Sequence, residues 1–191
     1  MSDLAHLSAL QAHWKRQKAF PSMAKLTEVL GMASTGGVFK ALNRLVDAGY
    51  LERVDGRMAP TPKFFARPVM GTARAGLPQP QSQEDGFEVL SIDDYLVDHP
   101  ERTSLCRVRG DSMKDAGLLE GDIVVVESNT LPRPGNVVVA VVDGQVTIKT
   151  LAQGAGGTWV LEPANPIYGP IVAEASLEVL GVVVGSFRKM R

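Results

Sequence analysis

A chain of 191 residues, 45% hydrophobic and 21% charged, has the length for one large or two small domains and enough apolar character to pack a core. No apolar run approaches the roughly 20 residues of a membrane helix, MSDLAHLSALQ lacks the basic start and apolar stretch of a signal peptide, and the one cysteine, Cys106, cannot make an internal disulfide. A membrane span and a disulfide scaffold are thereby excluded and a cytoplasmic protein is expected; the scattered His6, His13 and His99 make no metal cluster, so neither metal nor cofactor is expected. The net charge of −1 divides unevenly. Residues 1–70 carry ten Lys+Arg and five Asp+Glu, and residues 71–191 carry ten and sixteen. The +5 (10 − 5) of the first part lowers the cost of approaching phosphates.

Leu4, Leu7, Leu10 and Trp14 recur at helical spacing and predict a first amphipathic helix. Ser22 is placed to cap a second helix that ends at Gly31, with Leu26, Val29 and Leu30 as its buried stripe. Ser34 caps a third helix, closed by Gly49, whose core side is Val38, Ala41, Leu42 and Leu45. Tyr50–Val54 reads as a strand, Asp55-Gly56 as a tight turn, and Arg57–Ala59 as the returning strand until Pro60 and Pro62. This first domain is taken to residue 66, and a linker from 67 to 86, where Pro68, Pro78, Pro80 and a polar run favour an extended, accessible chain. From residue 87 a short helix, Ser91–Val97, precedes strands at Leu105–Arg109, Ile123–Glu127, Asn136–Val142, Gln145–Leu151, Thr158–Glu162 and Leu177–Phe187. Asp143-Gly144 is the hairpin turn between two of them. Such strands predict a mainly-β second domain over 87–191.

Three helices and a hairpin make the winged helix-turn-helix pattern, an α+β domain whose third helix enters the major groove. The residues expected to face DNA are Ser34, Thr35, Gly36, Gly37, Phe39, Lys40, Asn43 and Arg44 on that helix, with Arg53 and Arg57 beside the wing turn. The competing reading is a small helical domain that binds a protein; Phe39 either packs on a thymine methyl or belongs to the core.

In the second domain, Gly110-Asp111-Ser112-Met113 ends a strand and begins a turn, and Lys149 stands on a Val-rich strand. A serine hydroxyl attacks only if a neighbouring base takes its proton, and a lysine serves as that base only when neutral, which burial favours. The backbone N–H groups of Ser112 and Met113 are placed to hold an oxyanion. Taken singly, either residue is more often a capping serine or a surface lysine.

Residues 104–191 resemble the catalytic domain of LexA, UmuD and the lambdoid phage repressors, through RVRGDSMKDAGLLEGDIVVVE, VVVAVVDGQVTIKTL, LEPANPIYGPIV and LGVVVGSFRKMR. The catalytic part looks closest to UmuD, and residues 7–58 resemble the winged helix of LexA. The resemblance implies a mainly-β LexA/signal-peptidase-like fold and a serine endopeptidase that uses Ser112 and Lys149 chiefly on its own chain. It further implies cleavage between an alanine and a glycine ahead of the catalytic domain. Of four Ala-Gly pairs only Ala75-Gly76 lies in the Pro-rich linker, with Thr72 and Arg74 departing from the more apolar approach of the family. A repressor of DNA-damage (SOS) genes is expected: it binds operator DNA as a homodimer through the C-terminal domain and is inactivated with a RecA filament as co-protease. The alternative is a UmuD-like accessory subunit of an error-prone polymerase, activated by self-cleavage.

Overall fold

The computed structural model describes residues 2–69 and 89–190. The chain divides into two compact units, Met1–Tyr95 and Leu96–Arg191, a division that falls within the short helix Ile92–Leu96. No helix among the described residues is long and apolar enough to cross a membrane.

The first unit opens with α1 (Asp3–Gln17), α2 (Met23–Val29) and α3 (Thr35–Asp47). The Ser34 hydroxyl accepts from the Gly37 N–H at 3.2 Å, which satisfies one of the donors a helix start leaves open. Ser22 stands at the α2 cap position, where its carbonyl and not its hydroxyl receives the first bonds. Leu7, Leu10, Leu26, Leu30, Val38, Leu42 and Leu45 close one core. Leu4, expected among them, is 69% exposed, because the stripe of α1 begins only at His6 and Leu7.

Strands β1 (Leu51–Val54) and β2 (Arg57–Pro60) pair antiparallel. Asp55 and Gly56 between them both take positive φ, 50° and 74°, the backbone that a two-residue hairpin turn requires.

The Pro-rich stretch holds an element that the sequence does not announce: α4 (Pro62–Phe65). Pro62 sits in its first turn, where a missing N–H costs nothing. Phe64 is fully buried in the first core, and its carbonyl accepts from Gln11 Nε2 at 2.6 Å. Phe65 meets Trp14 edge to face with ring centroids 5.7 Å apart. Phe64→Ala is therefore expected to destabilise the first unit by about 3–5 kcal/mol, read as a lower unfolding temperature by calorimetry; an unchanged transition would show that α4 is an appendage. Short β3 (Arg67–Pro68) and β4 (Val89–Leu90) pair antiparallel, and α5 spans Ile92–Leu96.

The second unit is built on one antiparallel sheet. Its strands are β5 (Thr103–Arg107), β6 (Ile123–Glu127), β7 (Val137–Val142), β8 (Gln145–Gln153), β9 (Trp159–Glu162), β10 (Ile171–Val172) and β11 (Leu177–Phe187), in the order β10-β9-β8-β7-β11-β6-β5. Strand β7 shows why its sequence is unbroken Val and Ala. Val139 joins one core with Val108, Met113, Leu118, Val124 and Val126, while Val138, Ala140 and Val142 join another with Leu151, Leu161 and Val182. Successive side chains face opposite ways, so a strand covered on both faces is apolar throughout. Long β11 bridges β7 and β6 with register shifts around Gly181 and before Gly185. A Cβ at Gly181 would lie 2.7 Å from the Glu127 carbonyl oxygen, so only glycine permits this approach of strands.

Candidate functional site

Ser112 occupies the turn between β5 and β6. Gly110 enters that turn at φ 78°, a left-handed conformation that favours glycine. Met113 leaves it with only 2% exposure, sunk among Val108, Leu118, Val124, Val126 and Val139. A left-handed glycine at the entry and a buried methionine at the exit leave Ser112 itself half-buried at the surface of the turn.

Lys149 comes from β8. The alternation of side chains puts Thr147 and Lys149 on one face of that strand. Although charged residues are seldom buried, Lys149 is only 7% exposed. Its Nζ lies 2.8 Å from Ser112 Oγ, 3.0 Å from Thr147 Oγ1 and 3.0 Å from the Ile148 carbonyl oxygen. Burial pushes the lysine pKa below its ordinary value, because the charged amine loses water. Two groups 37 residues apart in sequence thus meet at hydrogen-bond distance. A hydroxyl beside an amine shifted toward its neutral form can pass a proton and attack a carbonyl. Among the described residues, the N–H groups of Ser112 and Met113 donate to no other atom, so both are open to a developing oxyanion. Ala75 and Gly76 lie outside the described residues.

Thr147 escaped the sequence reading, although its signal was present: a hydroxyl two residues before the lysine on one strand face. Asn165 and Tyr168, which bond Asp111, lay unassigned in LEPANPIYGPIV.

On the first unit, Ser34, Thr35, Gly36, Lys40, Arg44, Arg53 and Arg57 are exposed, and Gly37 and Asn43 partly so. Phe39 is 47% exposed and so is not core. The Arg53 guanidinium lies over its ring, 5.2 Å from the centroid, and Arg53 Nη2 donates to Asn43 Oδ1 at 2.6 Å. Helix α3 and strand β1 therefore present Phe39, Asn43 and Arg53 as one cluster. Arg44 behaves differently. It forms a forked pair with Asp3 at the start of α1, with contacts of 2.8–3.0 Å, and that pairing holds the Asp3 carboxyl below its usual range. Arg44 thus braces α3 against α1, while Lys40 makes no ion pair among the described residues.

The Peptidase S24-like family model matches residues 68–184, well over half of the chain. Among curated proteins, the LexA repressor 2 of Geobacter sulfurreducens is 35% identical over 96% of this chain and 94% of its own length. The LexA repressor 1 of Xanthomonas campestris pv. campestris is 36% identical over 88% of each chain. The LexA repressor of Shewanella woodyi is 35% identical over 88% of this chain and 85% of its own length.

Proposed function

The chain belongs to the Peptidase S24-like family and to the LexA repressors, and from that premise we propose that this SOS repressor holds operator DNA as a winged helix-turn-helix dimer and is inactivated by cutting its own linker between Ala75 and Gly76. The observation that carries the cleavage reading is the 2.8 Å separation of Lys149 Nζ and Ser112 Oγ. Neutral Lys149 takes the Ser112 proton as the oxygen attacks the Ala75 carbonyl carbon. The Ser112 and Met113 N–H groups hold the resulting oxyanion. The Lys149 ammonium then gives its proton to the departing Gly76 nitrogen, and water releases Ala75 from the serine ester. The cut separates the DNA-binding unit from the unit that dimerises it, so no DNA contact need change.

The +5 balance of the first 70 residues and the exposed Lys40, Arg53 and Arg57 support DNA as the partner. A RecA filament acts as co-protease by favouring the state in which the linker is docked at Ser112, and it shifts that balance only by its difference in affinity for the two states. The LexA relatives align along most of the chain, first unit included, which favours a repressor over a UmuD-like polymerase subunit.

Gly76→Asp tests the reading in cells. A carboxylate at the scissile bond would have to shed its water to reach Ser112, so cleavage is expected to fall by about 10²-fold or more. Cells carrying the variant should keep target genes repressed after DNA damage, with the chain whole on blots. Relief of repression with the chain still whole would overturn self-cleavage as the switch.

A further inference from the structure

The loop after β9 packs against the turn that carries Ser112. The Ala164 N–H donates to the Ser112 carbonyl at 2.8 Å, and the Asp115 N–H donates to the Ala164 carbonyl at 2.9 Å. Asn165 is 3% exposed. Its Nδ2 donates to the Asp111 carbonyl and to Asp111 Oδ2, each at 3.1 Å, while its Oδ1 accepts from the Ile167 N–H at 3.2 Å. Chemistry fixes that orientation, since a carbonyl can only accept and a peptide N–H only donate. Tyr168 Oη donates to Asp111 Oδ1 at 2.6 Å. Both carboxylate oxygens of the residue preceding Ser112 are therefore held, each by a different residue of one loop.

We propose that Asp111, Asn165 and Tyr168 are positioning residues that clamp the turn so that Ser112 Oγ stays within reach of Lys149. The proposal rests on the Ser112–Lys149 reading given above. One hydrogen bond between an amine and a neutral hydroxyl adds little net stability, so the framework around the pair has to help hold the 2.8 Å separation. Proton transfer requires roughly that distance, and small displacements of reacting groups cost large factors in rate. The clamp also keeps one proton arrangement where a lysine base works. The Tyr168 hydrogen bond is the largest cause that holds the Asp111 carboxyl below its usual range, with Lys114 adding to it, and the same bond pushes the Tyr168 hydroxyl up. Neither group changes charge between neutral pH and the ordinary tyrosine range.

The test is the first-order self-cleavage rate of the full chain from neutral to alkaline pH. Asn165→Asp sets a carboxylate against the Asp111 carboxylate and removes the donor, and its plateau rate is expected to fall about tenfold or more with the midpoint unmoved. Asp111→Asn alone keeps both bonds by presenting its oxygen to Asn165 and its amide N–H to Tyr168, so it cleaves within about twofold to threefold of the wild type. The double variant Asp111→Asn with Asn165→Asp restores a donor–acceptor pair and recovers at least part of the loss. Tyr168→Phe deletes one hydroxyl at the surface and gives a fall of about threefold, which reads the clamp even if Asn165→Asp does not fold. Wild-type rates in Asn165→Asp or in Tyr168→Phe, no recovery in the double variant, or a moved midpoint with an intact plateau would each overturn the clamp. Ser112→Ala, run alongside, reports on the dyad by itself: cleavage in that variant overturns the dyad, whereas its absence beside wild-type rates in the clamp variants overturns the clamp alone.

Discussion

Ser112→Ala and Lys149→Ala are each expected to leave the chain whole under alkaline conditions in which the wild type cuts itself, a loss of at least about 10³-fold. Ser112 Oγ is the nearest of the three oxygens bonded to the amine, and it stands on a turn, whereas Thr147 and Ile148 belong to the lysine's own strand. The wild-type rate should rise with pH, because the neutral amine is the base and its fraction grows as pH passes the Lys149 pKa. Burial lowers that pKa, so the midpoint lies below the ordinary lysine value. The same shift has a sign for stability. Between the folded and unfolded lysine pKa values the unfolded chain binds more protons, so stability rises with pH there, and below the folded value the cost of burying the charge is present in full. Lys149→Met should therefore be inert in cleavage and unfold at a higher temperature than the wild type at neutral pH. Fragments on a gel and a thermal melt give both readings. Fragments from either alanine variant would remove the dyad, and a Met variant that melts lower would mean that the hydrogen bonds of Lys149 outweigh its lost hydration.

Residues 1–75 alone are expected to bind operator DNA about 10²–10⁴-fold more weakly than the whole chain, because two linked reading heads gain an effective concentration that a lone head lacks. Gel shifts at several salt concentrations measure it. The fragment should still lose affinity steeply with salt, since its phosphate contacts persist, and should lose it with roughly half the slope of a dimer that makes twice the contacts. Equal affinity for fragment and whole chain would mean that severing the linker cannot release the operator, and the switch would have to act on the reading surface itself.

Much of this was legible from local chemistry. Ser34 stands where a helix needs an oxygen, and Asp55-Gly56 and Asp143-Gly144 stand where a two-residue turn needs two positive φ angles. Those signals span four residues or fewer, and no distant contact overrides them. The β strands were legible because unbroken Val runs fit a sheet covered on both sides. Helix α4 was not, since Pro60 and Pro62 read as the end of a strand and the burial that makes Phe64 helical comes from α1, some fifty residues earlier. Leu4 fitted the helical period but had no neighbour to cover it. Ser112 and Lys149 could be paired from the motifs around them. Arg44 could not be separated from its exposed neighbours, because its partner Asp3 lies 41 residues away. The hold of Asn165 on Asp111 spans 54 residues, and no spacing rule reaches so far.

The three bonds of Lys149 carry a consequence in proton count. An ammonium has three hydrogens, and Ser112, Thr147 and Ile148 provide three acceptors, so the charged lysine is saturated and offers nothing that can receive a proton. A neutral amine has two hydrogens and one lone pair, so one of the three acceptors must be given up. If Thr147 and Ile148 keep the hydrogens, the lone pair faces Ser112 and the hydroxyl becomes the donor. While Lys149 is protonated, one hydrogen occupies the place into which a Ser112 nucleophile would discharge its own proton, a form of latency separate from any cut in the linker.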